Sequence, residues 1–440
     1  MHGHGHSHEA PPLDPAQRRR VRAILAAVTI PLLFATLIGL IWLWPRGESP
    51  IGTLPIRADG AELATAEITS IQGDEIRGLL TSGMGEGTEV PIQVPVEILM
   101  SGLGVGDSIQ VIFTEDAMGT GSPYVFYDFE RGPPIALLAL AYLAVVALVA
   151  RWRGLAAVLG LFASLAVTAV FILPAIMAGA PQLPVVIVGS SAMMFLAVYL
   201  AHGVSIRTTT ALLGTYAGLL ITAVLGYLAI GSANLTGAQS DMGLVISTVF
   251  PEISLRDLLL CGLIIAGLGA LNDVTITQAS AVWELHAVNP TLPRRRLWSG
   301  GMRIGRDHIA STVYTLAFAY VGTALPMLLV ASLIDRSFLE FLTASEIAEE
   351  IVRTLVSSIG LILAIPITTA LAALLVPSPD DAHAPRAAAS PASPPPAVAP
   401  DDAHAPPAAA SPASPPPAVE PPERYRSVWD AIETEEEWER

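Results

Sequence analysis

The sequence predicts a mainly α, polytopic membrane helical bundle of about eight transmembrane helices with a small extracytoplasmic β domain. Of the 440 residues, 52% are hydrophobic and 14% are charged, at a mean hydropathy of +0.57, whereas soluble domains carry about 25% charge. The apolar residues fall into blocks of about 20, each long enough to cross a hydrocarbon core of ~30 Å. A less hydrophobic region at 46–132 interrupts these blocks and predicts the β domain.

The first 20 residues are rich in histidine and arginine, and an apolar anchor follows at 21–45. Its apolar stretch exceeds the core of a signal peptide and lacks a small-residue cleavage site, which favours an uncleaved anchor. The basic residues before it, Arg18, Arg19, Arg20 and Arg22, predict a cytoplasmic N-terminus.

Four histidines, His2, His4, His6 and His8, alternate with glycine and serine at the start of the chain. Neutral imidazoles so closely spaced can bind a divalent metal ion, and a tag artefact or a nonspecific metal-binding tail is the alternative. We expect no other cofactor.

Residues 46–132 contain short runs of β type separated by Gly/Asp turns. The predicted strands are 62–72, 88–100, 107–114 and 123–129. No catalytic set is recognisable in the region, so we expect a structural or assembly module, with ligand binding as the alternative.

Residues 133–376 form the predicted seven-helix membrane domain. Its spans are predicted at 134–150, 155–178, 184–201, 209–230, 257–282, 309–331 and 353–376. Alternation of these spans puts the arginine-rich connections on one side of the membrane, together with both termini.

The segment 377–440 is a tail that contains a tandem Pro/Ala-rich repeat, typical of disordered spacers. Near its end Tyr425, Val428, Trp429 and Ile432 follow helical spacing in front of an acidic run. This short acidic amphipathic helix is either a docking peptide for a protein partner or a marginal helix with none.

The fifth span carries small residues at four-residue spacing: Gly214, Gly218, Thr222 and Gly226. Residues four apart share a helix face, and small ones allow a second backbone to approach closely. We expect tight helix packing there.

The sixth span carries a polar face. Its purely apolar part is too short to cross the membrane, so the helix must continue through Asn272 and Gln278. Asp273, Thr277, Ser280 and Glu284 then line one side of it. Acids at membrane depth usually face a bundle interior or an aqueous path.

The seventh span begins with a second charged group: Arg303, Arg306, Asp307 and His308. An ion pair between Asp273 and Arg306 or Arg303 across the antiparallel pair is the predicted contact. The functional interpretation is a substrate or proton path, and the alternative is a structural ion-pair cluster.

No P-loop, nucleophile elbow, His-Glu-x-x-His or paired-carboxylate motif is present, which argues against an enzyme. The net charge of −16 argues against nucleic-acid binding. The bilayer is the expected environment, and the tail and β domain are the expected sites for any protein partner. We therefore expect a secondary permease, with a nonenzymatic membrane scaffold or envelope-stress component as the alternative.

Two segments, Leu271 to Leu285 and Met302 to Thr312, resemble the signature of the YibE/F family of bacterial multi-pass membrane proteins. Asp128 to Arg131 and Ala201 to Val204 share the resemblance, which covers roughly residues 50 to 376, although Asn272 departs from the more usual glycine. The resemblance implies a multi-span protein of the bacterial cytoplasmic membrane and leaves its substrate open.

Overall fold

The structure, a computed structural model, describes residues 15–47, 51–52, 61–114, 123–238 and 241–376. The histidines His2, His4, His6 and His8 and the tail 377–440, with its predicted amphipathic helix, lie outside the described residues.

Helices make up most of the described chain. They are α1 (Pro15–Trp42), α2 (Val96–Met100), α3 (Gly132–Val167), α4 (Leu173–Met177), α5 (Gln182–His202), α6 (Ile206–Ser232), α7 (Asp241–Val249), α8 (Leu255–Val288), α9 (Arg294–Ser332), α10 (Phe338–Thr343) and α11 (Ser345–Leu375). Seven helical segments within the described residues are long and apolar enough to cross a membrane. The chain is therefore a multi-pass membrane protein.

The predicted second and third spans lie in one helical segment, Gly132–Met177, so the count of eight spans is not confirmed. The segment joins α3 to α4 through a π-helical turn at Thr168–Ile172. It is interrupted at Arg151, where the backbone adopts φ 54° and ψ −142°.

The centre of the bundle is built from α6, α8 and α11, which pack closely on one another. Side-chain caps begin two of them: Ser205 accepts from the Thr208 amide at the start of α6, and Ser254 from the Asp257 amide at the start of α8. These caps satisfy amides that have no partner within the helix.

The β domain is a closed five-stranded barrel in the order β1-β2-β3-β5-β4. Its strands are β1 (Glu62–Gln72), β2 (Glu75–Ser82), β3 (Glu89–Gln93), β4 (Ser108–Phe113) and β5 (Tyr124–Phe129). Neighbouring strands are antiparallel except for β3 and β5, which are parallel. Alternate residues such as Ile68, Ile76 and Ile109 fill the interior, so the barrel has a hydrophobic core of its own.

Two of the strand predictions need correction. The predicted strand at 88–100 is wrong in its second half, because the strand ends at Gln93 and helix α2 begins after Pro95. Strand β2 was missed, since Gly78 breaks the apolar alternation. A Cβ at Gly78 would lie 2.6 Å from Ile92 Cδ1 of the neighbouring strand and 3.2 Å from the Glu67 carbonyl oxygen, so a larger residue would crowd both neighbours.

Candidate polar face and cavity on helix α8

Helix α8 divides into a packed face and an uncovered face. The packed face includes Val274, Thr275, Gln278 and Val282, all nearly inaccessible. The second, here called the α8 open face, consists of residues that the rest of the described chain leaves exposed: Gly262, Ala266, Gly269, Asp273, Thr277 and Glu284. Their spacing of three, four or seven residues keeps them on one side of the helix. Ser280, on the same side, is half-buried.

On the packed face, Gln278 fastens α8 to two other helices. Its Nε2 donates to the Gly301 carbonyl of α9 and to Thr369 Oγ1 of α11, both at 2.7 Å. A Cβ at Gly305 would come within 2.6 Å of Ile365 Cγ2 and 3.1 Å of Gln278 Oε1. The glycines of α9 therefore allow this contact, and we call the group of Gln278, Gly301, Gly305 and Thr369 the Gln278 clasp.

The predicted Asp273 pairing with Arg303 or Arg306 is wrong for the described residues. The ion pairs resolved there are Arg77 with Glu75, Arg131 with Asp128, Arg207 with Glu284 and Arg353 with Glu350. Because α8 meets α9 through Gln278 and Gly301, Asp273 is turned about 140° away from the contact, and Arg303 lies about 160° from the contact face of α9.

The charged residues at the start of α9 consequently do not join the polar face of α8. Arg303, Arg306 and Asp307 are exposed, and His308 is half-buried. The His308 carbonyl accepts from Thr312 Oγ1 one turn later. Asn272 likewise makes no hydrogen bond with these charged residues through its Oδ1. This atom is buried and has no hydrogen-bond partner among the described residues.

Other charges surround the α8 open face. Arg207 Nη1 of α6 lies 2.5 Å from Glu284 Oε1, which ties the start of α6 to the C-terminal part of α8. Asp273 and Arg153 both lie within electrostatic range of His202 at the end of α5. The part of the polar face from Asp273 to Glu284 therefore lies near the end of α5 and the start of α6.

The small residues of α6 pack against α11 and α8. A Cβ at Gly214 would overlap Thr368, and one at Gly360 would overlap Thr222. A Cβ at Gly218 would lie 2.6 Å from Leu271 and 2.9 Å from Ala364, and one at Gly226 2.8 Å from Leu260. The partner stripe on α11, Gly360-Ala364-Thr368, has the same four-residue spacing, and this signal was overlooked in the sequence.

A cavity of about 290 Å³ lies at the N-terminal end of α8, where α7, α9 and α11 also contribute walls. Its charged lining consists of Glu349, Glu350 and Arg353, and its apolar lining includes Met242 and Met327. Gly262 of the α8 open face also lines it. This space, here called the Glu350 cavity, was not predicted, because its charges lie on α11.

The charged residues of this cavity are half-buried. Arg353 Nη1 donates to Glu350 Oε1 at 2.6 Å, with side-chain exposures of 28% and 25%. Glu350 Oε2 is inaccessible and lacks a hydrogen-bond partner among the described residues. Glu349 Oε1 accepts from the Gly237 amide at 3.1 Å.

Outside the membrane helices, the local environment shifts the pKa values of three side chains. The Arg131 guanidinium and the Phe129 amide lower the pKa of Asp128 where the barrel joins α3. Hydrogen bonds from the backbone and side chain of Ser337 lower the pKa of Glu340 at the start of α10. Burial raises the pKa of the Tyr124 hydroxyl, which donates to the Met84 carbonyl.

Within the described ranges, no group of three or more His, Cys, Asp or Glu side chains is arranged to hold a metal ion.

A model of the YibE/F-like protein family matches residues 138–378. The chain belongs to this family. The match covers the polar face of α8, the Gln278 clasp and the Glu350 cavity. No curated protein and no solved structure matches the YibE/F-like chain.

Proposed function

We propose that this YibE/F-like protein is a secondary permease in which the α8 open face lines the translocation path. The observation that carries the proposal is the composition of this face. It exposes glycine, alanine, aspartate, threonine and glutamate, whereas exposed faces of α3 and α9 present residues such as Leu138 and Phe318. A membrane helix surface without bulky apolar side chains suits water better than lipid.

The open face also connects two ends of the bundle. Gly262 lines the Glu350 cavity, and a Cβ at Gly262 or at Gly269 would meet no atom within 4 Å. Further along α8 the face continues through Asp273, about 16 Å from Gly262 at 1.5 Å per residue, to Glu284, about 33 Å from Gly262. The Gln278 clasp closes the neighbouring interface between α8, α9 and α11. We therefore assign the path to the open side of α8, and not to the contact between α8 and α9.

We further propose eight crossings with both termini in the cytoplasm. The segment Gly132–Met177 would be about 69 Å long if straight, more than twice the hydrocarbon thickness. A Cβ at Gly154 would lie 2.7 Å from Val146 Cγ1, a contact eight residues back that only a sharply bent chain allows. Two crossings joined near Arg151 and Arg153 satisfy the positive-inside rule and leave the barrel outside the bacterial cytoplasmic membrane.

A cysteine-accessibility experiment tests the water-lined face. Cys261 is the only cysteine of the chain and is buried, so a Cys261→Ala background is suitable. We expect Ala266→Cys and Thr277→Cys to react with a charged, membrane-impermeant thiosulfonate. The matched control is Leu220→Cys, since Leu220 is 66% exposed within the apolar span of α6. Labelling at Ala266 and Thr277 no stronger than at Leu220 would contradict the proposal.

A flux experiment tests the role of Asp273. In proteoliposomes with an internal pH dye, we expect the wild-type protein to conduct protons under an imposed potential and Asp273→Asn to lose most of that flux. The control is Asp335→Asn, which removes an exposed acid that does not belong to the α8 open face. Equal flux in Asp273→Asn and wild-type vesicles, or none in either, would refute a proton path through this residue.

A membrane scaffold is the second candidate function, and one observation favours it. Gly262 and Ala266 have the four-residue spacing that small residues use where transmembrane helices associate, and Gly269 continues the same side of α8. A second copy of the chain packed there would cover the open face. In that case Ala266→Cys should form a disulfide between copies and should resist the charged reagent.

A further inference from the structure

One end of the barrel exposes large apolar side chains. Val96 and Met100 lie one turn apart on α2, and Val105 lies in the turn that follows this helix. Each is more than half exposed, and Met100 is 84% exposed. Two other residues of the same segment, Leu99 and Leu103, belong to the barrel core. The segment therefore closes the barrel and leaves three apolar side chains uncovered, here called the α2 tip: Val96, Met100 and Val105.

The strand directions place the α2 tip at the end of the barrel from which the chain enters the membrane. Because β3 and β5 are parallel, α2 after β3 lies towards the same end as α3 after β5. Because β4 and β5 are antiparallel, the turn before β4 lies there as well. The Glu130 amide donates to the Ser108 carbonyl at 2.9 Å, and Val105 is three residues before Ser108, a reach of at most about 11 Å. The tip is therefore close to the point where the chain leaves the barrel.

The connection between the barrel and α3 is too short to hold the tip far from the membrane. β5 ends at Phe129, and α3 begins three residues later. Arg131 Nη1 in this connection donates to Asp128 Oδ1 at 2.6 Å, and its guanidinium lies 5.6 Å from the centre of the Phe129 ring. The apolar span begins at Ile135, so Glu130 is at most about 12 Å from it. This end of the barrel must therefore lie at the membrane surface.

We propose that the α2 tip inserts into the head-group layer of the membrane that the protein spans, beside the start of α3. Large apolar side chains gain free energy when they leave water, and the boundary between head groups and acyl chains is the apolar environment within their reach. The exposure of Met100 shows that no described membrane helix covers it. The inference depends neither on the permease function nor on the side of the membrane on which the barrel lies.

The charges around the α2 tip indicate which lipids it enters. Arg77 and Arg131 at this end are each paired with an acid of their own strand or turn. Acidic side chains here that have no ion pair among the described residues include Asp74, Glu97, Asp107 and Glu130. Anionic head groups would not attract such a surface, so apolar burial has to drive the contact. We therefore expect insertion into zwitterionic lipid, with no gain from anionic lipid.

Fluorescence quenching on the full-length protein in phosphatidylcholine vesicles tests the inference. In the Cys261→Ala background, a nitrobenzoxadiazole label is attached at Met100→Cys or at Val105→Cys, and a lipid with a nitroxide high on its acyl chain is the quencher. The matched control is Met84→Cys, a methionine 49% exposed in the turn between β2 and β3, at the opposite end of the barrel. We expect quenching at Met100 and Val105 at least about twofold stronger than at Met84, because only the tip reaches the acyl boundary.

Four results would overturn the inference. Quenching at Met100 and Val105 no stronger than at Met84 would mean that the tip does not reach lipid. Quenching by a nitroxide on the head group, without quenching by one on the acyl chain, would place the tip above the bilayer. A disulfide between copies at Met100→Cys, with weak quenching, would identify a second copy of the chain as the occupant. Quenching that requires added phosphatidylglycerol would indicate electrostatic attraction and not apolar insertion.

Discussion

The interface between α6 and α11 allows a sharp test of the packing, because it pairs glycine with threonine twice. Thr368 lies opposite Gly214, and Thr222 opposite Gly360. Thr368 is fully buried, and its Oγ1 donates to the Ala364 carbonyl at 2.7 Å. The threonine has little freedom to move, so we expect Gly214→Ala to overpack this contact.

The expected change in the free energy of unfolding follows from two opposing terms. Overpacking a well-packed core costs about 1–3 kcal/mol. Replacing a helical glycine by alanine contributes about 0.5–1 kcal/mol in the opposite direction. Gly322 of α9 has open space around it and is the matched control, for which only the second term applies. We therefore expect Gly214→Ala to be about 1–3 kcal/mol less stable than Gly322→Ala.

The measurement is reversible unfolding in mixed micelles, followed by tryptophan fluorescence. A second variant tests the cause: Thr368→Ala removes the opposing side chain, so the double variant Gly214→Ala/Thr368→Ala should be less impaired than the sum of the single changes. Gly214→Ala as stable as Gly322→Ala would refute close packing of α6 on α11, and strict additivity in the double variant would refute the assigned partner.

Three further predictions concern other contacts. Gln278→Leu removes two hydrogen bonds of the clasp and should destabilise the protein by about 1–3 kcal/mol in the same unfolding assay, and an unchanged stability would argue against the clasp. Arg207→Gln should cost less than about 1 kcal/mol, because both partners of the Arg207 pair with Glu284 are largely exposed; a larger loss would mean that the pair is shielded from water. Burial favours the neutral form of Tyr124 in the folded barrel, so its contribution to stability is complete below the ordinary pKa of 10.0 and is lost as the pH rises through the raised value. Tyr124→Phe should flatten this alkaline dependence in unfolding curves recorded between pH 9 and 12, and an unaltered slope would contradict the assignment.

The sequence predicted the membrane helices well because hydrocarbon thickness sets the length of each apolar block. Its one ambiguity was local. The predicted spans at 134–150 and 155–178 are joined without a loop, through the irregular backbone at Arg151. No residue type in this segment indicates that conformation.

The strands were predicted where apolar residues alternate, as in β1, and missed where they do not. In β2 the inward position 78 is a glycine, since the Ile92 side chain of β3 occupies the space that a Cβ would need. The reason for that glycine lies on another strand, and the alternation within one strand cannot reveal it.

The candidate site was predicted in part. The four acidic or hydroxyl residues from Asp273 to Glu284 do share one side of α8, as their spacing required. Gln278 was grouped with them, but it lies on the packed face and joins α9 to α11. The contribution of α11, including Thr369 and the Glu350 ion pair, was missed because no pattern in α8 or α9 indicates a third helix.

The sequence by itself determined which segments enter the membrane, where a separate β domain forms, and which residues share a side of each helix, because these properties depend on hydrophobicity and helical period alone. Only the tertiary structure decided which charges meet. The rotation of α8 against α9 is set by close contact at Gly301 and Gly305, which turns Asp273 away from Arg303 and leaves Glu284 beside Arg207. A helical period fixes the angles between residues of one helix, but it does not fix how that helix is turned toward its neighbours.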